Sequence, residues 1–91
     1  MTDWGALAAE RLGRIAACSE PGPGVTRLPF TPEHRAALAE IRGWMEAAGL
    51  TPTLDAAGTL IGRREGDGPG TFYMGSHQDS VRHGGAYDGI M

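Results

Sequence analysis

The stretch Thr71-Phe72-Tyr73-Met74-Gly75-Ser76-His77-Gln78-Asp79 runs from a short apolar segment straight into an imidazole and a carboxylate. An apolar run of this length, bounded by glycines, suits a buried strand of an α/β sheet, so Thr71 to Gly75 is expected as a strand with His77 just past its end. In open α/β sheets ligands gather outside the carboxyl ends of strands. Residue type agrees with position: a His offers a divalent ion a neutral nitrogen, and an Asp offers it a charged oxygen. The chain continues Ser80-Val81-Arg82-His83-Gly84-Gly85-Ala86-Tyr87-Asp88-Gly89, a glycine-rich return able to carry a second carboxylate, Asp88, back toward His77. Residues two apart in extended backbone project to one side. Asp79 could therefore accept the second ring N–H of His77 while the other nitrogen binds metal, and Asp88 could bridge two cations.

Upstream, the period lengthens to that of helices. Trp4, Leu7, Ala8, Leu12 and Ile15 recur at three-to-four spacing, so residues 3 to 17 are expected as a helix, capped by Thr2. Glu20-Pro21-Gly22-Pro23-Gly24 breaks it, and Val25 to Phe30 reads as an extended connector, with Leu28 held out of the helical region by Pro29. Thr31-Pro32-Glu33 is a helix start: hydroxyl cap, proline at the first position, acid against the positive end of the dipole. The stripe Leu38, Ile41, Met45, Ala48 carries that helix to Gly49. Leu50 to Asp55 and Thr59 to Arg63 read as two short strands around Ala56-Ala57-Gly58, the first demoted to an edge by Pro52. Arg64 to Gly70 is a polar loop.

Composition narrows the class. Ninety-one residues form at most one small domain, with a thin margin of stability. The eight basic residues are scattered and the net charge is −3, which gives no footprint for nucleic acid. No membrane span is expected. One cysteine, Cys18, excludes an internal disulfide, and the N-terminus lacks the apolar core of a signal peptide, so a reducing cytoplasm is expected.

Bland readings compete with the sharp one. A lone His-x-Asp triplet also fits a solvated turn; the preceding apolar run, the glycine-rich return and the second carboxylate are what favour a metal site. Ser76 and Ser80 lack the flanking glycines of a nucleophile elbow. His83 fits a solvated turn better than an extra ligand, His34 is expected exposed in the first turns of its helix, and Cys18 is expected as a small apolar filler.

Gly75-Ser76-His77-Gln78-Asp79-Ser80-Val81 with Gly84-Gly85-Ala86-Tyr87-Asp88-Gly89 resembles the first metal-binding segment of the hydantoinase/carbamoylase family, which holds allantoate amidohydrolases, N-carbamoyl-L-amino-acid hydrolases and β-ureidopropionases within the zinc aminoacylase and carboxypeptidase superfamily. Gly24-Val25-Thr26-Arg27-Leu28, Phe30-Thr31-Pro32-Glu33 and Asp55-Ala56-Ala57-Gly58-Thr59-Leu60 resemble that family's N-terminal pattern, so the likeness covers nearly the whole chain. Tyr87-Asp88-Gly89 stands where the peptidase branches usually carry Asp-x-Lys-Gly, which favours the ureido-cleaving branch over an aminoacylase or peptidase.

The resemblance implies that residues 1–91 are the N-terminal portion of a dinuclear metallohydrolase catalytic domain, with helices packed on a mixed sheet and truncated after the first metal-binding segment. It makes His77 a ligand of one metal, Asp88 the bridging carboxylate and Asp79 the partner of the His77 ring, with two divalent ions, Zn²⁺ or Mn²⁺, in the complete enzyme. It also implies a small ureido or carbamoyl substrate, and homodimerisation of the complete enzyme through a domain outside this sequence. The family's glutamate pair and later His ligands have no counterpart before Met91, so these residues alone are expected to be inactive. A non-catalytic binding module and a truncated product without function remain as alternatives.

Overall fold

The computed structural model describes residues 1–90. Two helices are followed by one hairpin: α1 (Trp4–Ala16), α2 (Pro32–Ala47), β1 (Thr51–Leu54) and β2 (Leu60–Arg63). The cap of α1 is Asp3 rather than Thr2; its carboxylate accepts the Ala6 N–H at 3.0 Å, satisfying a donor that the first turn leaves unpaired. Thr31 caps α2 as expected, accepting the His34 N–H and donating to the Leu28 carbonyl at 2.7 Å. The helices meet through polar side chains: Arg14 forks onto both oxygens of Glu40 at 3.0 and 3.2 Å, and the Arg11 guanidinium lies 5.2 Å from the Trp44 ring centre.

The strands pair antiparallel with Thr51 opposite Arg63 and Leu54 opposite Leu60. Asp55 builds the turn, its Oδ1 accepting the N–H groups of Ala57 and Thr59, while Gly58 takes the left-handed backbone (φ 87°) that closes it. Asp55 N–H donates to the Thr59 carbonyl, so by alternation Pro52 falls at a non-hydrogen-bonded position where its missing donor costs nothing. Met45 of α2 and Leu50 pack closely over Gly62.

Thr71 to Gly75 is not a strand. A strand needs a neighbour to take its N–H and C=O groups, and among the described residues no segment pairs with this one. Phe72, Tyr73 and Met74 are 84–89% exposed instead. The architecture is thus a small α/β unit with a two-stranded antiparallel sheet, not the expected mixed one.

The tight packing lies elsewhere. Val25, Thr26 and Arg27, expected as a mere connector, are buried and bonded to the loop that follows residue 76; Ile15, His34 and Ala37 are buried as well. Val25 and Gly84 exchange both backbone hydrogen bonds at 2.8 Å, Ser80 N–H donates to the Arg27 carbonyl at 2.8 Å, and His83 N–H donates to the Thr26 hydroxyl at 2.9 Å. Gly24 (φ 70°) has to be glycine on two counts, since a Cβ there would also sit 2.8 Å from the Gly84 oxygen. No helix among the described residues is long and apolar enough to cross a membrane.

Candidate functional site

The 76–89 loop holds all three predicted site residues, and its shape follows from two ties. One is the docking onto residues 25–27 described above. The other closes the glycine-rich return: the Gly89 carbonyl accepts from the His77 N–H at 3.4 Å and from the Ser76 hydroxyl, and Asp88 N–H donates to the Gly85 carbonyl at 3.3 Å. Gly89 lies against the Cε1 and Nε2 atoms of the His77 ring in a left-handed conformation (φ 77°), so closely that a Cβ would overlap the imidazole. The return therefore brings the backbone next to Asp88 onto His77. Asp88 itself is exposed.

Around the His77 ring the geometry selects a tautomer. Nδ1 lies 2.9 Å from the Asp79 main-chain oxygen and 3.4 Å from the Asp79 carboxylate. A carbonyl oxygen can only accept, so the shorter bond requires a proton on Nδ1 and leaves Nε2 as the unprotonated nitrogen of the neutral ring, on the side that Gly89 approaches. The expectation that Asp79 holds the ring through its carboxylate is thereby modified: the main-chain oxygen is the better placed acceptor, and 3.4 Å is long for an N–H···O bond. The His77 and Asp79 side chains are 61% and 41% exposed, an open position that a ligand can reach.

Behind the loop sits Arg27, 2% exposed and the bulkiest fully buried side chain. Its Nε donates to the Gln78 carbonyl at 2.5 Å, and one terminal nitrogen donates to the carbonyls of Ile15 (2.8 Å) and Cys18 (3.0 Å) at the end of α1. Burial pushes the guanidinium pKa down, while the nearby Cys18 and Asp79 push it back up. The carbonyls at a helix C-terminus carry negative partial charge, which suits a cation with no direct carboxylate partner among the described residues. Arg27 N–H donates to Ser80 Oγ at 2.8 Å, and Ser80 is buried. In the sequence Ser80 is weighed only as a nucleophile and Arg27 only as part of the stretch Gly24 to Leu28, and neither is read as a positioning group; a charged side chain within the short, mostly apolar segment Val25 to Phe30 was the available signal.

The remaining candidates settle into structural roles. His83 (φ 54°) donates from Nδ1 to the Pro23 carbonyl at 3.0 Å. His34 is buried rather than exposed, because the chain before α2 folds back and Phe30 N–H donates to its Nδ1 at 2.8 Å. The Cys18 thiol is half-buried, with a pKa raised chiefly by burial, which disfavours the reactive thiolate. Among the described residues no group of three or more His, Cys, Asp or Glu side chains is arranged to hold a metal ion. His77 and Asp88 would therefore make at most a partial shell.

This α/β unit, with an imidazole oriented on a glycine-closed loop, has clear relatives. The N-carbamoyl-L-amino-acid amidohydrolase of Paenarthrobacter aurescens is 48% identical over 87 residues, covering 89% of this chain and 21% of that protein. Its namesake in Geobacillus stearothermophilus is 50% identical over 80 residues, covering 86% of this chain and 19% of the relative. An allantoate deiminase of Arabidopsis thaliana is 36% identical over 86 residues, 92% of this chain and 16% of the relative. Over these residues the chain belongs to the family of N-carbamoyl-L-amino-acid amidohydrolases and allantoate deiminases. It spans about a fifth of the length of the relatives it matches. No protein-family model matches it.

Proposed function

We propose that this chain supplies the first metal-holding segment of an amidohydrolase that cuts a linear C–N bond of an N-carbamoyl amino acid. The observation that carries the substrate class is the ordering of the relatives. Three bacterial N-carbamoyl-L-amino-acid amidohydrolases match at 45–50% identity, against 33–36% for the plant allantoate deiminases and ureidoglycolate hydrolases.

In this reading His77 Nε2 and the Asp88 carboxylate would hold divalent metal. The donor set fits Zn²⁺ or Mn²⁺, since a neutral imidazole nitrogen and a hard carboxylate oxygen suit both ions. When bound, two such ions supply a water of lowered pKa and polarise the ureido carbonyl. The chain's own contribution is preorganisation. Asp79 keeps the Nδ1 proton of His77 in place, Gly89 lets the return loop close against the ring, and Arg27 with Ser80 fixes the backbone between them.

A chimera tests the proposal. Replacing the matching 80-residue segment of the Geobacillus stearothermophilus enzyme with these residues should give a protein that releases the free amino acid from an N-carbamoyl-L-amino acid. EDTA should abolish turnover, Mn²⁺ or Zn²⁺ should restore it, and Asp88→Ala in the chimera should eliminate it, because two like charges lose their shared anion. A chimera that melts like its parent yet turns over nothing defeats the functional reading. Turnover indifferent to chelation defeats the metal reading.

A further inference from the structure

Trans peptide geometry links the buried arginine to the exposed imidazole. In a trans peptide the C=O and the following N–H point in opposite directions. Ser80 N–H points at the Arg27 carbonyl, so the Asp79 carbonyl of the same peptide plane points away from Arg27, and it is this oxygen that meets His77 Nδ1 at 2.9 Å. The plane on the other side of Asp79 is pinned too, because the Gln78 carbonyl receives Arg27 Nε. Both peptide planes flanking Asp79 are thus tied to one residue. That residue is anchored in turn on the Ile15 and Cys18 carbonyls and on Ser80 Oγ. Ser80 Oγ is within reach of the Val25 and Val81 carbonyls, so its hydroxyl hydrogen has an acceptor while its oxygen accepts from Arg27 N–H.

We infer that Arg27, acting with Ser80, is the positioning residue that sets the His77 tautomer, aiming the Asp79 carbonyl at Nδ1 so that Nε2 presents its lone pair. The inference deepens the reading of His77 as a metal ligand and, for its metal arm, rests on it. It assigns orientation of the imidazole to the main chain held by Arg27 more than to the Asp79 carboxylate. Lysine cannot replace the guanidinium, because a single ammonium cannot reach the Gln78 carbonyl on one side and two helix-end carbonyls on the other with the same planar fork.

Two readouts on the 91-residue chain separate this from general destabilisation. At a pH where the imidazole is neutral, long-range proton–nitrogen correlation spectra report which His77 nitrogen carries hydrogen, with no metal needed; calorimetric titration with Zn²⁺ reports affinity. Wild type should show His77 protonated on Nδ1. Arg27→Lys and the milder Ser80→Ala should both move the ring toward the other tautomer and weaken Zn²⁺ binding by about tenfold or more, as loss of outer-shell support does. Ala37→Gly, at a fully buried position of α2 that supplies none of these hydrogen bonds, should lower the melting temperature and leave the tautomer unchanged. If Arg27→Lys fails to fold, Ser80→Ala carries the test alone. Unchanged tautomer and affinity in a folded Ser80→Ala or Arg27→Lys chain overturns the inference, as does a wild-type His77 protonated on Nε2. A wild-type ring protonated on Nδ1 and shifted in the variants, but indifferent to Zn²⁺, supports the positioning role and overturns the metal reading instead.

Discussion

At Gly89 two requirements fall on one atom that is not there. The backbone is left-handed, and the space a Cβ would take is filled by the His77 ring. Gly89→Ala should therefore displace the imidazole as well as strain the turn, costing about 1 kcal/mol or more for the backbone alone. Chemical-shift changes concentrated on His77 and Ser76 would register the displacement, and an unperturbed His77 would contradict the contact. Asp79 leads to a milder expectation. Because the main-chain oxygen is the nearer acceptor, Asp79→Asn keeps that bond, so its effect on activity in the chimera should be below about tenfold, at the lower edge of what outer-shell changes usually cause. A hundredfold loss would return the orienting role to the carboxylate. In the sequence, His77, Asp79 and Asp88 could be picked out because residue type and glycine context are local signals. The positioning role of Arg27 and Ser80 could not be read there, since it lies in a hydrogen bond across 53 positions.

At the scale of elements, what was legible follows the same divide. The start of α2 was written in Thr31-Pro32-Glu33, and the hairpin in Asp55-Ala56-Ala57-Gly58, because caps and turns are satisfied by neighbours in sequence. The α1 cap slipped by one residue, from Thr2 to Asp3, two side chains able to do the same work. Thr71 to Gly75 failed as a strand for the opposite reason: an apolar run states a preference for burial, but pairing depends on a partner that local pattern does not supply. Thr31 gives the clearest test at this level. Thr31→Ala removes an acceptor for His34 N–H and a donor to Leu28, and should cost about 1 kcal/mol, a drop of about 5 °C in a thermal melt. A variant melting with wild type would mean that α2 is held by the hairpin packing alone.

Taken whole, the molecule is a plate measuring 46 × 38 × 18 Å. Its accessible surface of 6634 Å² exceeds the roughly 5,100 Å² of a compact monomer of this mass. Its radius of gyration of 14.1 Å likewise exceeds the about 12 Å expected for this length. Part of the excess is the exposed Phe72-Tyr73-Met74 run, which lines an apolar groove together with Leu12, Ile41 and Met45. The purified 91 residues should accordingly self-associate, with sedimentation rising with concentration, and Phe72→Ser with Met74→Ser should suppress it. Concentration-independent sedimentation of a single species would refute this. The same preparation should bind Zn²⁺ weakly and show no turnover, since His77 and Asp88 cannot fill a tetrahedral shell. The pairing of Val25 with Gly84 has a further consequence, in time rather than space. It closes a loop of about sixty residues, an entropic cost of about 3 to 4 kcal/mol that both helices and the hairpin can form without meeting. The imidazole's main-chain support thus depends on residues 25–27 and the 76–89 loop coming together, so the His77 environment should report folding no earlier than that long-range closure.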